Sequence, residues 1–361
     1  MQEIVHKLEK YSGETADSPL GNVIKNLEDI AGLLRNTSAT VKQADDRSLF
    51  ANTRIAVIIP CFNEVLSIVR VIEGFRTALP TAHIYVYDNR STDDTAAVAR
   101  AAGAIVRHES RPGKGNVVRR MFADIEADVY VMVDGDATYD AAIAPQMVSR
   151  LLNEQLDMVV GVRKNVYANA HRKGHGVGNR VFNRIYSNLF GGLFTDIFSG
   201  YRVFSRRFVK TFPSISNGFE IETEMSVHAC QVRMPVAEIE TEYGARSPGS
   251  VSKLRTVRDA ICILKTLFLL FKEIKPVKFF GTIAFSLMVL SLIIGYPLVV
   301  TYMETGLVPR FPTAFLITGM ILMACVSLVA GLILDSVARG RLELKRMVYL
   351  GLAVKVFNMA Q

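Results

Sequence analysis

The sequence predicts an α/β fold with a mostly parallel, doubly wound sheet, followed by an interfacial helix and two transmembrane helices. Two observations carry this prediction. From Arg54 onward, short apolar runs alternate with helical segments, a rhythm typical of parallel strands joined by crossover helices. Toward the C-terminus, residues 279–302 and 311–334 contain no charged residue, and about 20 apolar residues suffice to span a bilayer.

The predicted strands are short apolar runs, most of which end at polar residues. They are IAVIIP from Ile55, IYVYD from Ile84, AIVRH from Ala104, VYVMVD from Val129 and MVVGVR from Met158. The segments between these runs are predicted helices, near residues 66–78, 94–102, 115–126 and 141–153. Ligands of such sheets bind at the carboxyl ends of the strands. We therefore expect a functional site at that edge.

Composition favours a protein that contacts a lipid bilayer over one that binds nucleic acid. The chain has 361 residues, half of them apolar, which exceeds ordinary soluble usage. Its formal net charge is +8, and no basic and aromatic nucleic-acid motif is present. Four cysteines lie far apart without C-x-x-C spacing, which is typical of free thiols in a reducing compartment.

Basic residues predict the orientation of the two apolar segments. Lysines and arginines precede residues 279–302 and follow residues 311–334, whereas the loop between them has only Arg310. Because positive residues stay on the cytoplasmic side, we expect a multi-pass inner-membrane protein with both termini in the cytoplasm. The N-terminus also lacks the apolar run of a secretory signal.

These signals divide the chain into six parts. They are a helical extension of unassigned role (1–50), a cytoplasmic α/β domain (51–252), a juxtamembrane amphipathic helix (253–278), two transmembrane helices (279–302 and 311–334) and a cytoplasmic tail (335–361). A buried core helix is the alternative for each apolar segment. An ordinary surface helix is the alternative for residues 253–278, where apolar and basic residues alternate at near-helical spacing.

Asp134-Gly135-Asp136 is the most informative motif, because it directly follows the apolar run that begins at Val129. Side chains alternate along a strand, so Asp134 and Asp136 point the same way if the strand geometry persists. Oxygen ligands with open coordination positions suit Mg²⁺ or Mn²⁺ shared with substrate phosphates. An acidic turn that closes the strand is the alternative for this motif taken alone.

Polar clusters also follow the other predicted strands. They are Pro60-Cys61-Phe62-Asn63-Glu64, residues 88–95 and residues 111–116. Taken singly, Asn63 or Ser91 caps a helix, and the Gly-Lys-Gly run around Lys114 forms a turn. Together with Asp134 and Asp136, however, they place four polar clusters on one edge of one sheet. Turns alone do not explain that convergence.

These motifs resemble the inverting family-2 glycosyltransferases of the A-type nucleotide-sugar fold. The resemblance is to the polyprenyl-phosphate branch, which includes dolichol-phosphate mannose synthase and bacterial undecaprenyl-phosphate glucosyltransferases, and it covers about residues 54–254. It implies a Rossmann-like domain that binds a UDP- or GDP-sugar. The residues implied in nucleotide-sugar binding are Pro60, Asn63, Glu64, Asp88, Ser91, Lys114 and Asp134.

The resemblance also implies a divalent metal, Mg²⁺ or Mn²⁺, held with the diphosphate by Asp134 and Asp136. Dolichol-type members commonly carry Gln two residues after the second aspartate, where this chain has Thr138. The resemblance therefore supplies no third protein ligand.

The second half of the domain matches the family's acceptor side. The matching segments are Val160-Gly161-Val162-Arg163, similar to G-(S/T)-R, residues 178–183, similar to the lipid-side helix, residues 195–202, similar to D-x-x-S-G-(F/Y)-R, and residues 246–253, similar to R-x-x-G-E-S-K with one extra residue. The residues implied in acceptor-phosphate binding are Arg163, Arg180, Asn183, Arg246 and Lys253, and those implied in catalysis are Asp134, Asp136, Asp196 and Arg202.

Guanidinium groups bind phosphate through two parallel hydrogen bonds, which suits these arginines to a lipid phosphate. Taken singly, each arginine has a surface or ion-paired role as its alternative. Asp196 is expected to orient Arg202 or to contact sugar hydroxyls. Glu222 and Glu224, in a segment similar to the family's acidic helix, are interpreted as structural partners of the arginines.

The resulting hypothesis is a membrane-anchored inverting glycosyltransferase that moves one sugar to polyprenyl phosphate, such as undecaprenyl phosphate, for cell-envelope glycans. The anionic acceptor has little need of a general base. By resemblance, a homo-oligomer forms through the membrane helices. A family-2 transferase with a different, non-polyprenyl acceptor is one alternative, and a non-catalytic membrane scaffold or transporter subunit is another. A processive synthase is disfavoured, because its Q-x-x-R-W motif needs tryptophan and the chain has none.

Overall fold

The computed structural model describes residues 50, 52–164, 184, 186–189, 191–246 and 256–353. The chain divides into two compact units, Met1–Thr53 and Arg54–Gln361. The helical extension predicted over residues 1–50 lies outside the described residues except for residue 50. Arg180, Asn183 and Lys253 lie outside them as well.

The described part of the second unit is built on a seven-stranded sheet. Its strands are β1 (Ile55–Cys61), β2 (His83–Asp88), β3 (Ile105–His108), β4 (Val129–Met132), β5 (Met158–Lys164), β6 (Arg202–Ser205) and β7 (Val236–Glu242). The spatial order is β3-β2-β1-β4-β6-β5-β7. Only β6, among these, runs antiparallel to its neighbours β4 and β5. The predicted mostly parallel α/β fold is therefore confirmed, with β6 and β7 added to the predicted strands.

Helices cover both faces of this sheet. They are α1 (Ile68–Ala78), α2 (Thr95–Ala101), α3 (Lys114–Asp124), a 3₁₀ turn (Ala141–Ile143), α4 (Ala144–Asn153), α5 (Arg206–Thr211) and α6 (Ile221–Val232). One large apolar cluster joins Ile58 of β1 to Val118 of α3, Phe208 of α5 and Met225 of α6. The other residues of β1 are also buried, apart from the partly buried Pro60, as expected for a parallel sheet covered on both sides.

Three further helices follow the sheet. They are α7 (Thr256–Ile274), α8 (Pro276–Thr305) and α9 (Phe311–Leu350). Helices α8 and α9 are candidate membrane spans by length and composition, and they pack against each other. The apolar segment predicted to end at residue 334 continues as helix to Leu350, through residues first assigned to the tail. An Arg339 to Asp335 hydrogen bond of 2.8 Å, one helical turn apart, supports this continuation.

Helix α7 is attached to the core of the sheet domain by one face. Leu267 is 1 % exposed and belongs to the main apolar cluster, against which Leu270 and Ile274 also pack. Leu264, one helical turn earlier, is 50 % exposed. Because only Lys275 separates α7 from α8, this face connects the sheet domain directly to the first candidate span.

We predict that Leu267→Ala lowers the free energy of unfolding by about 2–5 kcal/mol, because it removes buried methyl groups and leaves a cavity. Leu264→Ala is the matched control and should change the free energy by less than about 0.5 kcal/mol. Guanidinium unfolding of the detergent-solubilised protein, followed by circular dichroism, measures both. Equal effects of the two substitutions would contradict the attachment of α7 to the core.

Candidate active site

Hydrogen bonds hold the loops after β1, β2 and β4 together at one edge of the sheet. The Ser67 hydroxyl donates to the Gly135 carbonyl oxygen at 2.8 Å, which joins the loop after β1 to the one after β4. The Asn63 amide donates to Ser91 Oγ at 2.9 Å, and the Glu64 amide donates to Thr95 Oγ1 at 2.8 Å. The predicted convergence of polar clusters at the strand ends is thus seen in these contacts.

The loops after β1 and β2 form one face of the site. Asn63 has a backbone φ of 53°, a conformation that Asn tolerates better than most residues. Its side-chain oxygen accepts a 2.8 Å hydrogen bond from the Thr92 amide. Asp88 ends β2 and accepts from the Ser91 amide at 3.3 Å, and His108 Nδ1 lies 3.3 Å from the same carboxylate. Pro60 lies beside them within β1.

Lys114 reaches the centre of the site from a segment that requires glycine on both sides. Gly113 has a φ of 117°, and a Cβ on either Gly113 or Gly115 would collide with the main chain of residues 216–217. Lys114 Nζ lies 2.5 Å from Asp134 Oδ1 and forms a second ion pair with Glu222. Burial alone would lower the pKa of Lys114, but these two carboxylates outweigh it and raise the pKa. Its ammonium is therefore charged.

Asp136 is held in a drier position than Asp134. It is 4 % exposed, pairs with Arg246 at 2.7 Å and accepts a 2.6 Å hydrogen bond from Thr138 Oγ1. Burial, followed by the nearby charge of Asp134, raises the pKa of Asp136. Arg246 thus contacts the carboxylate motif, and Thr138 acts on Asp136 through its hydroxyl.

Two close contacts fix the backbone around the carboxylates. A Cβ on Gly200 would overlap the carboxylate of Asp134, and one on Gly135 would lie 2.7 Å from Cys61 Sγ. The Gly200 amide donates to the hydroxyl of Tyr139 at 2.9 Å. A cavity of about 410 Å³ opens beside Asp134, lined also by Thr138 and Tyr139. The loop before β6 therefore has to pass directly against Asp134.

Arg163, at the carboxyl end of β5, forms a bidentate pair with Asp196. Its Nε and NH2 donate to the two carboxylate oxygens at 2.7 and 2.8 Å, and its guanidinium lies 5.5 Å from the ring centroid of Tyr243. Burial would raise the pKa of Asp196, but Arg163 outweighs it and lowers the pKa. The backbone next to Asp196 is also held in place, because the Thr195 amide donates a 2.8 Å hydrogen bond to the Glu238 carboxylate.

The partners of Arg202, and those of Glu222 and Glu224 on α6, differ from the partners expected from the sequence. Arg202 is 0 % exposed, and its guanidinium donates to the carbonyl oxygens of Ser199 and Ile197 at 2.9 and 2.8 Å. Asp196 therefore orients Arg163 and not Arg202. Glu222 pairs with Lys114, and Glu224 accepts from the amides of residues 215 and 216. These contacts are with a lysine and with the main chain, and not with an arginine.

The structure brings most of the predicted residues into two neighbouring groups. The first holds Pro60, Asn63, Glu64, Asp88, Ser91, Lys114, Asp134, Asp136 and Arg246, and the second holds Arg163 and Asp196. Tyr139 and Tyr243 were not predicted, although their rings lie 5.1 Å apart between the groups. An aromatic residue three positions after the carboxylate motif was the only sequence signal for Tyr139.

The carboxylates fit a hard divalent ion that takes most of its ligands from a substrate. Within the described residues, no group of three or more His, Cys, Asp or Glu side chains is placed to hold a metal alone. Asp134 and Asp136 supply two carboxylates, which matches the way Mg²⁺ is held by one or two carboxylates with substrate phosphates and water. Two like charges in a dry site also favour a bound cation.

Comparisons with known proteins agree with this geometry. The profile of Glycosyl transferase family 2 matches residues 56–212. Glycosyltransferase AglJ of Haloferax volcanii is 33% identical over 234 residues, which cover 64% of this chain and 77% of AglJ. Protein RfbJ of Shigella flexneri is 59% identical over 116 residues, or 32% of this chain and 90% of RfbJ.

Solved structures add a fold comparison. Glucosyl-3-phosphoglycerate synthase from Mycobacterium tuberculosis, in complex with Mn²⁺, uridine-diphosphate-glucose and phosphoglyceric acid, superposes with a TM-score of 0.54. The match covers 63% of this chain and 83% of that one at 22% sequence identity, so it supports the fold alone. Fold and site define a transferase with the A-type nucleotide-sugar architecture. The chain belongs to glycosyl transferase family 2.

We predict that Gly200→Ala lowers the rate of sugar transfer by about tenfold or more, because the added methyl group displaces the Asp134 carboxylate. Gly244→Ala is the control, since its Cβ would lie 3.8 Å from the nearest atom, the Thr138 carbonyl oxygen. Initial rates with a radiolabelled nucleotide sugar measure the effect, and circular dichroism checks the fold. Full activity of Gly200→Ala would contradict the tight contact described here.

Proposed function

We propose that this protein is a membrane-anchored, inverting glycosyltransferase that moves one sugar from a nucleotide-diphosphate sugar to polyprenyl phosphate. The observation that carries the proposal is the attachment of the sheet domain to the candidate spans. Leu267 of α7 is buried in the core of the sheet domain, and α7 is followed after one residue by α8. An acceptor held in a bilayer suits a domain tied to that bilayer so closely.

The proposed topology has two spans and a cytoplasmic catalytic domain at the inner membrane. Basic residues flank α8 and α9 on the side of the sheet domain, whereas the connection between the two helices carries only Arg310. This asymmetry supports cytoplasmic termini. The product would then form on the cytoplasmic face, where it supplies synthesis or modification of cell-envelope glycans.

The donor is proposed to bind at the Asp134 and Asp136 edge. The loops that carry Asn63 and Asp88 would hold the base and ribose. Lys114 would stay with Asp134 as a fixed positive charge beside the diphosphate. UDP is favoured by the fold neighbours, whose structures contain UDP or UDP-glucose, but a GDP-sugar fits the same carboxylate chemistry.

A bound Mg²⁺ or Mn²⁺ would neutralise charge that develops on the departing nucleoside diphosphate. Asp134 and Asp136 are the residues that would hold it. Thr138 keeps Asp136 oriented through its 2.6 Å hydrogen bond, and Arg246 supplies a cation on the same carboxylate. Arg246 is also a proposed contact of the acceptor phosphate.

Arg163 is the proposed acceptor contact of the second group. Asp196 and Tyr243 fix its guanidinium, which keeps a cation in place for an incoming phosphate. The phosphate is already an anionic nucleophile, so positioning and charge stabilisation suffice for attack with inversion at the anomeric carbon. We accordingly assign Asp196 and the fully buried Arg202 positioning roles, in place of the catalytic roles expected from the sequence.

One experiment separates this proposal from a soluble acceptor. Purified protein in lipid vesicles is incubated with a panel of UDP- and GDP-sugars and either undecaprenyl phosphate or 3-phosphoglycerate. Mass spectrometry should find a glycosylated lipid phosphate, and NMR should show an inverted anomeric configuration. Transfer to 3-phosphoglycerate alone would contradict the polyprenyl acceptor and favour the soluble acceptor class named for the fold neighbours.

We predict that Asp134→Asn and Asp136→Asn each lower transfer by about 10²-fold or more, because the site loses charge next to the diphosphate. Asp128→Asn is the matched control at the opposite end of β4, where Asp128 pairs with Arg54 at 3.2 Å. Electron paramagnetic resonance of Mn²⁺ with UDP should show weaker ion binding in the first two variants only. Unchanged Mn²⁺ binding in Asp136→Asn would contradict the metal assignment.

We predict that Arg163→Ala raises the KM for the lipid acceptor by roughly 10- to 100-fold, since charge-assisted hydrogen bonds contribute about 1.5–3 kcal/mol. Nucleotide affinity, measured by calorimetry, should stay within about twofold of wild type, since the proposed partner of this guanidinium is the lipid phosphate and not the base. Arg120→Ala is the control, because Arg120 is exposed on α3 and pairs with Asp124. Loss of nucleotide affinity with normal acceptor use would reverse the assignment of the two groups.

A further inference from the structure

Helix α9 continues well beyond its apolar part. Residues 335–350, here called the strut, carry charged side chains that a bilayer interior disfavours. These are Asp335, Arg339, Arg341, Glu343, Lys345 and Arg346. At 1.5 Å per residue, the 16 residues of the strut extend about 24 Å past the apolar segment. That length is comparable to the thickness of a small domain.

The end of the strut is anchored to a buried carboxylate of the sheet domain. The Tyr349 hydroxyl donates to Asp157 Oδ2 at 2.7 Å, and Asp157 is 0 % exposed. Arg207 donates to the same carboxylate at 2.8 and 2.9 Å, and its guanidinium lies 4.6 Å from the Tyr349 ring centroid. Ser205 Oγ completes the group at 2.7 Å. Tyr349 is therefore held by a hydrogen bond and by a cation over its ring.

A second contact fixes the rotation of the strut. Lys345 Nζ donates to the side-chain oxygen of Gln231 at 3.1 Å, and Arg346 donates to the Gln231 carbonyl oxygen at 3.5 Å. Residues 345 and 349 are four apart, so they lie on one face of α9. Tyr349 also packs against the main apolar cluster. The strut thus docks through one face at two points.

Both docking points lie at the ends of elements that start or finish in the active site. Asp157 precedes β5, and Arg163 near the other end of that strand is about 20 Å away along it. Gln231 is near the end of α6, and Glu222 in the first turn is about 14 Å away along the helix. A tilt of about 10° at the docking point would move Arg163 by about 3–4 Å at such a lever length.

Helix α7 supplies the second attachment. It enters the core through Leu267 and leads into α8, whereas the strut leaves the core at Tyr349 and leads back into the apolar part of α9. A single tether would let the domain swivel above the membrane. Two attachments, each joined to a different span, restrict both its height and its tilt.

We propose that the strut is a spacer that sets the position of the active site relative to the lipid acceptor, with Tyr349 and Asp157 as positioning residues. This inference rests on the proposed membrane topology. Because the docking points lie far from the site, the strut runs along the domain and leaves the carboxylate edge facing the bilayer. The strut is expected to act on use of a bilayer-embedded acceptor and not on nucleotide binding.

The test measures domain position without requiring any reaction. A donor dye is placed at Arg100→Cys, on exposed α2, in a background with Cys230, Cys262 and Cys325 changed to Ser, and lipid headgroups of a nanodisc carry the acceptor dye. Wild-type protein should give one narrow distance distribution. Tyr349→Ala should broaden it, Tyr349→Phe should have an intermediate effect because the ring stays over Arg207, and Leu350→Ala, at an exposed neighbour, should not change it.

A second pair of variants tests rigidity separately from docking. Arg339→Gly with Arg341→Gly surrounds Gly340 with two further glycines and softens the strut, while Arg339→Ala with Arg341→Ala removes the same charges and keeps the helix. Only the glycine pair should broaden the distances. For Tyr349→Ala and the glycine pair, KM for vesicle-embedded polyprenyl phosphate should rise about tenfold or more, with little change for a short soluble prenyl phosphate.

The outcomes are distinguishable. Unchanged distances in Tyr349→Ala would overturn the proposal, and so would a parallel loss of nucleotide affinity and melting temperature, which indicates a damaged fold. Arg207 and Ser205 still pair with Asp157 in that variant, so the domain should remain folded. Wild-type protein that fails to insert into nanodiscs would overturn this proposal and the topology together. Insertion without transfer to polyprenyl phosphate would contradict only the proposed acceptor.

Discussion

The organisation of the site depends on keeping two carboxylates close together at the end of a buried strand. Like charges repel strongly where water is scarce, so Asp134 and Asp136 need fixed cations. Lys114 supplies one and Arg246 the other. A lysine this deep is itself unstable without partners, and Glu222 provides the second negative charge that keeps its ammonium ionised. Five side chains from four separate segments therefore balance one another.

That balance explains the local sequence around each member. Lys114 reaches inward because the flanking glycines let residues 216–217 pass against its backbone. Glu224 holds this part of the chain by accepting from the amides of residues 215 and 216. Gly200 is required where the chain crosses over Asp134. Strand β6 begins immediately afterward, so its antiparallel direction follows from a chain that enters the sheet at the active-site edge.

The sequence predicted the parallel strands because most of them are short apolar runs that end at polar residues. Each predicted strand is present within a few residues. Strands β1, β4 and β5 are mostly buried, and a strand buried on both faces is an unbroken apolar run. Strands β6 and β7 escaped prediction for different reasons. β6 is only four residues long and begins with Arg202, whose burial is balanced by main-chain carbonyls that no local pattern reveals. In β7, acidic residues occupy every second position from Glu238, and this period-two pattern is typical of a strand.

For the site, sequence motifs identified the residue types but not their partners. Asp196 was recognised, yet its pairing with Arg163 joins positions 33 apart and depends on the loop before β6. Glu222 was expected beside an arginine, and its actual partner Lys114 lies 108 positions earlier in the chain. Such ion pairs are decided by packing of the acidic helix against the glycine-flanked lysine. The sequence around either residue does not predict that contact.

The burial of Cys61 against Gly135 has a consequence for the chemistry the protein withstands. Burial, together with the surrounding carboxylates of Glu64 and Asp88, raises the pKa of this thiol well above its usual range. Thiolate is the reactive form, so Cys61 is a poor target for oxidants and alkylating agents although it adjoins the catalytic edge. Cys262 is exposed and lies in α7, outside the proposed spans. Thiol oxidation would therefore fall first on α7 and spare the transfer centre.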